Sequence, residues 1–137
     1  MVRFLLFIAL CFSISCTTVK NSSINPPPSP FSSLERKIQG FWEADKVEYA
    51  IGYTDNNPQR SFEFDKHGFF QVTFYYKSDY RIKANLFKVE DEQIKLINKN
   101  THEVFEILKI KEITSSNLTL QTIYPKNNTY TVYLQRI

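Results

Sequence analysis

The 137-residue sequence predicts one small all-β domain, an eight-stranded antiparallel up-and-down barrel, and three observations carry that prediction. The chain is rich in strand formers, with 12 Phe and 8 Tyr against only 3 Gly and 1 Met. After residue 40 apolar side chains recur at every second position, the period of a half-buried strand. Short runs of Asp, Asn, Gly, Ser and Pro separate these stretches, so successive strands connect as hairpins. Strands with one wet and one dry face remove their exposed edges by closing on themselves, and eight of them enclose room for side chains or one small ligand.

Residues 1–15 lie outside this pattern. Arg3 supplies a positive charge, and Phe4 to Phe12 is an apolar run of nine, followed by Ser13, Ile14 and Ser15. A bilayer span needs about 20 apolar residues, so the run has the layout of a secretory signal peptide. The junction Ser13-Ile14-Ser15-Cys16 resembles the lipobox of bacterial lipoproteins, although Ser13 stands where such motifs usually carry Leu. Cleavage before Cys16 removes Cys11 and leaves Cys16 as the sole cysteine. A lone thiol in an oxidising envelope calls for modification, so Cys16 is the expected lipidation site and the membrane the expected partner. Acyl chains contribute about 0.8 kcal/mol per buried methylene, enough for two or three of them to anchor a small domain. Thr17 follows the cysteine where an Asp would signal inner-membrane retention in enteric bacteria, which favours the outer membrane, facing the periplasm.

Residues 16–33 read as a tether. Pro26, Pro27, Pro28 and Pro30 sit among Ser and Asn with too few apolar residues to offset the entropy of ordering them. Polyproline II is the expected conformation, a semi-rigid spacer.

The folded domain occupies 34–137. Ser32 and Glu35 have capping-box spacing, which predicts one or two helical turns over 33–39, ended by Gly40. Strands are expected at 41–53, 60–65, 69–77, 79–89, 93–98, 102–113, 117–124 and 129–136. Phe62 and Phe64, then Phe70, Val72, Phe74 and Tyr76, mark inner faces by alternation, as do Ile94 with Leu96, Leu118 with Leu120, and Tyr130 with Val132 and Leu134. In the fourth strand the same reading selects Tyr80, Ile82, Ala84 and Leu86. Val104 to Ile113 breaks alternation and calls for a bend or bulge.

Gly40-Phe41-Trp42, opening the first strand after a helical turn, resembles the Gly-x-Trp signature of the lipocalin superfamily. Residues 61–70, SFEFDKHGFF, are similar to a hairpin of small lipocalin-like lipoproteins of the Bacteroidetes type. The resemblance covers 34–137. It implies that Trp42 closes the barrel floor with Arg136 packed over it, so Gly40, Trp42 and Arg136 are structural. Secreted lipocalins carry a disulfide, longer loops and a C-terminal helix, which are absent here, and a roomy cavity is not expected.

Nothing in the sequence assembles catalytic chemistry. His67 falls in a turn and His102 at a strand start, both read as solvated, and neither a metal motif nor a phosphate loop occurs. Glu103 and Glu106 lie among lysines and read as a wet face. Loss of the signal removes Arg3 and lowers the formal charge of +3 by one, leaving no electrostatic footprint for nucleic acid. The expectation is a non-enzymatic protein without cofactor or metal. Tyr49, Phe64, Phe74, Tyr76, Tyr80 and Tyr130 either line a pocket for a small hydrophobic ligand or fill the barrel. The filled barrel suits a second reading, an envelope interaction module such as an assembly accessory, inhibitor or immunity protein that meets its partner with its outer face.

Overall fold

The structure, a computed structural model, describes residues 33–76 and 79–137, apart from the side chains of Tyr76 and residues 79–82. The signal, Cys16 and nearly all of the tether lie outside the described residues.

A short helix, α1 (Ser33–Ile38), precedes nine strands: β1 (Gly40–Tyr49), β2 (Thr54–Asp55), β3 (Arg60–Phe64), β4 (Phe69–Tyr76), β5 (Asp79–Glu90), β6 (Gln93–Ile97), β7 (Val104–Ile113), β8 (Asn117–Tyr124) and β9 (Tyr130–Arg136). Every pairing is antiparallel, β1 and β3 to β9 run in sequence order, and β1 also pairs with β9, so eight strands close the predicted barrel. The ninth, β2, is an outlying pair on the far end of β1.

That extra strand corrects the expected 41–53. The strand stops at Tyr49, and the chain turns through Ala50 to Gly52, where Gly52 takes φ +91° and donates its N–H to the Tyr49 carbonyl at 3.0 Å. Thr54 and Asp55 then pair back on Glu48 and Val47. The other hairpins have local causes too. In the β3–β4 turn the Asp65 carboxylate accepts the N–H groups of His67 at 2.7 Å and Phe69 at 2.9 Å, while Gly68 adopts φ +87°. Asp91 and Glu92, with φ of 50° and 62°, form the two-residue β5–β6 turn whose backbone matches strand twist.

Register shifts mark bulges. Asp45 is the extra residue between Ala44 and Lys46 on β1, Phe105 between Val104 and Glu106 on β7, Lys111 lower on β7, and Ile123 on β8. The broken alternation of 104–113 is thus two bulges in one strand.

The core fills the barrel from its floor to its middle. Trp42, Phe64, Ile94, Leu108, Leu118, Leu120 and Val132 are inaccessible to solvent. Phe64 packs at a tilt on Phe70, with ring centres 5.0 Å apart, and meets Phe87 edge-on at 5.1 Å. Burial of such side chains contributes about 1.5–3 kcal/mol each. Helix α1 plugs the floor with buried Ile38 and Glu35, whose carboxylate accepts the Val89 N–H at 3.1 Å.

Candidate functional site

The two ends of the barrel differ in chemistry. At the closed end the Trp42 indole donates to the Ile38 carbonyl at 2.8 Å, and the Arg136 guanidinium lies 4.2 Å over the Trp42 ring. Arg136 donates Nη1 to Gln39, Nη2 to Lys37 and Nε to Ser115 carbonyls at 2.8, 2.8 and 2.9 Å, tying α1 and the β7–β8 turn to the floor. Gly40 takes φ +130°, and a Cβ there would stand 2.5 Å from Arg136 Nη1, so only glycine fits. Gly40, Trp42 and Arg136 are therefore brought together. An open groove of about 550 Å³ lies beside them, but the guanidinium that lines it is already committed to carbonyls.

At the opposite end the apolar core gives way to a cavity of about 160 Å³ at the barrel mouth. Phe62, Phe70, Val72 and Leu96 form its base, Phe74 and Phe105 its apolar walls, and Arg60, Lys83, Asn85, Glu106 and Tyr130 its polar lining. Phe105 and Glu106 are sequence neighbours, and in a regular strand they would face opposite sides of the sheet. The bulge at Phe105 lets both reach the cavity.

The polar groups are tied together in part. Tyr130 donates its hydroxyl to Glu106 Oε1, and Arg60 donates Nη2 to the Tyr49 hydroxyl at 3.1 Å. The Arg60 guanidinium carbon and the Lys83 amine lie 5.5 and 5.8 Å from the Phe74 ring centre. Arg60 Nε is buried without a hydrogen-bond partner. Burial raises the Glu106 carboxyl above its usual range against the opposing hydrogen bond from Tyr130. Burial, reinforced by the Glu106 charge, raises the Tyr130 phenol, so it stays protonated and donates.

Of the six aromatic residues read from sequence, Phe74 and Tyr130 line the cavity. Phe64 does not, because it belongs to the solvent-free floor. Tyr49 stands beside the cavity, holding Arg60 and packing 6.2 Å from the Tyr130 ring. Tyr76 occupies the last position of β4, and its side chain lies outside the described residues. Tyr80 pairs in register with Tyr75, and its side chain likewise lies outside the described residues; the described part of β5 corrects the alternation chosen for the fourth strand at Ala84 and Leu86. The inner positions are Lys83 and Asn85, opposite Val72 and Phe70, continuing to buried Phe87 and Val89. Glu106 is likewise corrected from a wet face to the mouth, opposite buried Leu96.

Arg60, Lys83, Asn85 and Glu106 were invisible to a search for apolar alternation because they are polar. Counting back in twos from Phe87 finds Asn85 and Lys83. The same count back from Phe62 finds Arg60. Among the described residues no group of three or more His, Cys, Asp or Glu is placed to hold a metal, and no helix is long and apolar enough to cross a membrane.

No protein-family model and no curated protein matches the chain. Among solved structures it is similar to a lipocalin-like protein from Bacteroides uniformis, with a TM-score of 0.58 and 16% identity over 74% of this chain and 99% of that one. An uncharacterized protein from Bacteroides eggerthii aligns with a TM-score of 0.59 and 16% identity, covering 72% of this chain and 98% of that one. At such identity the similarity speaks for the fold, and the fold is lipocalin-like.

Proposed function

We propose that this chain is a non-enzymatic binding protein, held in a bacterial cell envelope by a lipid on Cys16, that takes a small ligand with an apolar body into its barrel mouth. One observation carries the reading: the core is buried from the floor up to Phe62, Phe70, Val72 and Leu96, yet opens above them into a cavity lined by Phe74, Phe105 and Tyr130. A barrel whose only task was stability would continue its apolar core to the rim. Small-molecule pockets usually enclose about 300–1,000 Å³, so a cavity of about 160 Å³ suits a compact ligand or one end of a longer one. Helix α1 lies on the closed floor, at the end of the barrel opposite the mouth.

Native mass spectrometry of protein taken from its own membranes is expected to show a co-purifying small molecule. Repeated absence of any such species, with no resonance shifts at Phe74 or Tyr130 on adding apolar compounds, overturns the binding role. The anchor is tested separately by feeding labelled fatty acid to cells. Label is expected on the wild type and absent from a Cys16→Ser variant, which should leave the membrane fraction. Placement in the outer membrane, facing the periplasm, rests on Thr17 and is tested by fractionating the two membranes.

A further inference from the structure

The mouth cavity is lined by more positive charge than negative, and its charges are not paired with each other. Arg60 and Lys83 supply two cations and Glu106 one carboxylate, and among the described residues none of the three forms an ion pair. The contrast with the outer surface is informative, because Lys46, Lys88 and Lys95 all reach a glutamate within 2.8 Å. Glu106 is occupied by the Tyr130 hydroxyl, and burial moves it toward its neutral form. Arg60 is held by Tyr49 and lies near the Phe74 ring, which orients the guanidinium but leaves the buried Nε–H with no acceptor. A buried, unanswered donor on a permanent cation is unfavourable until an acceptor arrives, and an anionic oxygen is the strongest acceptor available.

Resting on the reading of the mouth as a binding site, we propose that its ligand is a small amphipathic carboxylate. The carboxylate accepts from Arg60 Nε, Lys83 at the more exposed rim adds a second charge, and the Asn85 amide is in reach as a further donor. The apolar body lies against Phe74 and Phe105 over the Leu96 base. The small volume admits the headgroup and a short chain, and a longer chain extends out of the mouth.

The test titrates the isotope-labelled full-length protein with hexanoate, hexanol and hexylamine, which share an apolar body and differ in head charge. Hexanoate is expected to bind about ten- to a hundredfold tighter than hexanol, the range of a hydrogen bond to a charged group, with shifts at Phe74, Phe105 and Tyr130. Arg60→Met should bring hexanoate down to the hexanol level and leave hexanol unchanged. Lys83→Met, at an exposed position, should weaken hexanoate by a smaller factor. Equal binding of hexanoate and hexanol, or tighter binding of hexylamine, overturns the carboxylate while leaving the mouth as a binding site. Absence of shifts with all three compounds overturns both.

Discussion

Gly40 and Glu106 show how single positions carry the two ends of the barrel. At Gly40 the backbone is left in a region that L side chains avoid, and the space of its missing Cβ is taken by Arg136. Gly40→Ala should lower stability by about 1–3 kcal/mol, read as an earlier urea midpoint, because the backbone must relax and Arg136 must release its carbonyls. Arg136→Met should give a loss of similar size from the opposite side of that contact, about 1–3 kcal/mol, through the lost cation–π and hydrogen-bond terms. Glu106 acts through protons. Its folded-state pKa lies above 4.5, so folding favours the protonated carboxyl, and stability falls as pH rises from 4.5 through the raised value. Glu106→Gln keeps an acceptor for Tyr130 and removes the charge. Its advantage over the wild type in urea unfolding should therefore be small at about pH 4 and larger at about pH 7, and a difference independent of pH would refute the assignment. Glu90 works with the opposite sign on the outer surface. Hydrogen bonds from Lys88 and Lys95 lower it to about 2, so its modest contribution is present above 4.5 and fades as pH falls toward 2.

The elements owe their inner faces to bulges as much as to alternation. On β1 the buried residues are Trp42 and Ala44 before Asp45, then Val47 after it, with Tyr49 following in the same phase. An unbroken period of two from Trp42 would turn Val47 and Tyr49 outward and bring Lys46 and Glu48 inside. Deleting Asp45 should leave Ala44 and Lys46 paired with Leu134 and Tyr133 and keep Val47 and Tyr49 inward, so native near-ultraviolet circular dichroism should be retained, and its loss would refute Asp45 as the extra residue. On β7 the bulge at Phe105 has the converse result, giving the mouth two adjacent side chains where a regular strand would give one. These bulges explain why strand existence was readable and facing was not. Alternation in β3, β6, β8 and β9 is uninterrupted through their cores and yields the buried residues directly. In β5 the residues Ala84 and Leu86 are more hydrophobic than the inner Lys83 and Asn85, so a rule that turns apolar residues inward selects the wrong face.

Across the whole molecule, packing is graded from a solid floor to an open mouth, and the mouth is where the sequence departs from the rule that barrels are apolar inside. Leu96 marks the boundary, being only 2% exposed and yet part of the cavity base. Leu96→Ala should destabilise the barrel by about 2–5 kcal/mol and deepen the cavity, so that a ligand longer by a few carbons gains affinity relative to hexanoate. The sequence by itself determined the all-β class, the number of barrel strands, nearly all of their boundaries and the place of Trp42 in the floor. Those features follow from local rules: turn chemistry, side-chain period and the Gly-x-Trp pattern each act within a few residues. Only the tertiary structure decided that the chain doubles back after Tyr49, that β5 turns Lys83 and Asn85 inward, and that Arg60, Glu106 and Tyr130 meet around one cavity. Closure sets these outcomes, because cross-strand register and bulges assign a residue to the inside according to its neighbours on other strands.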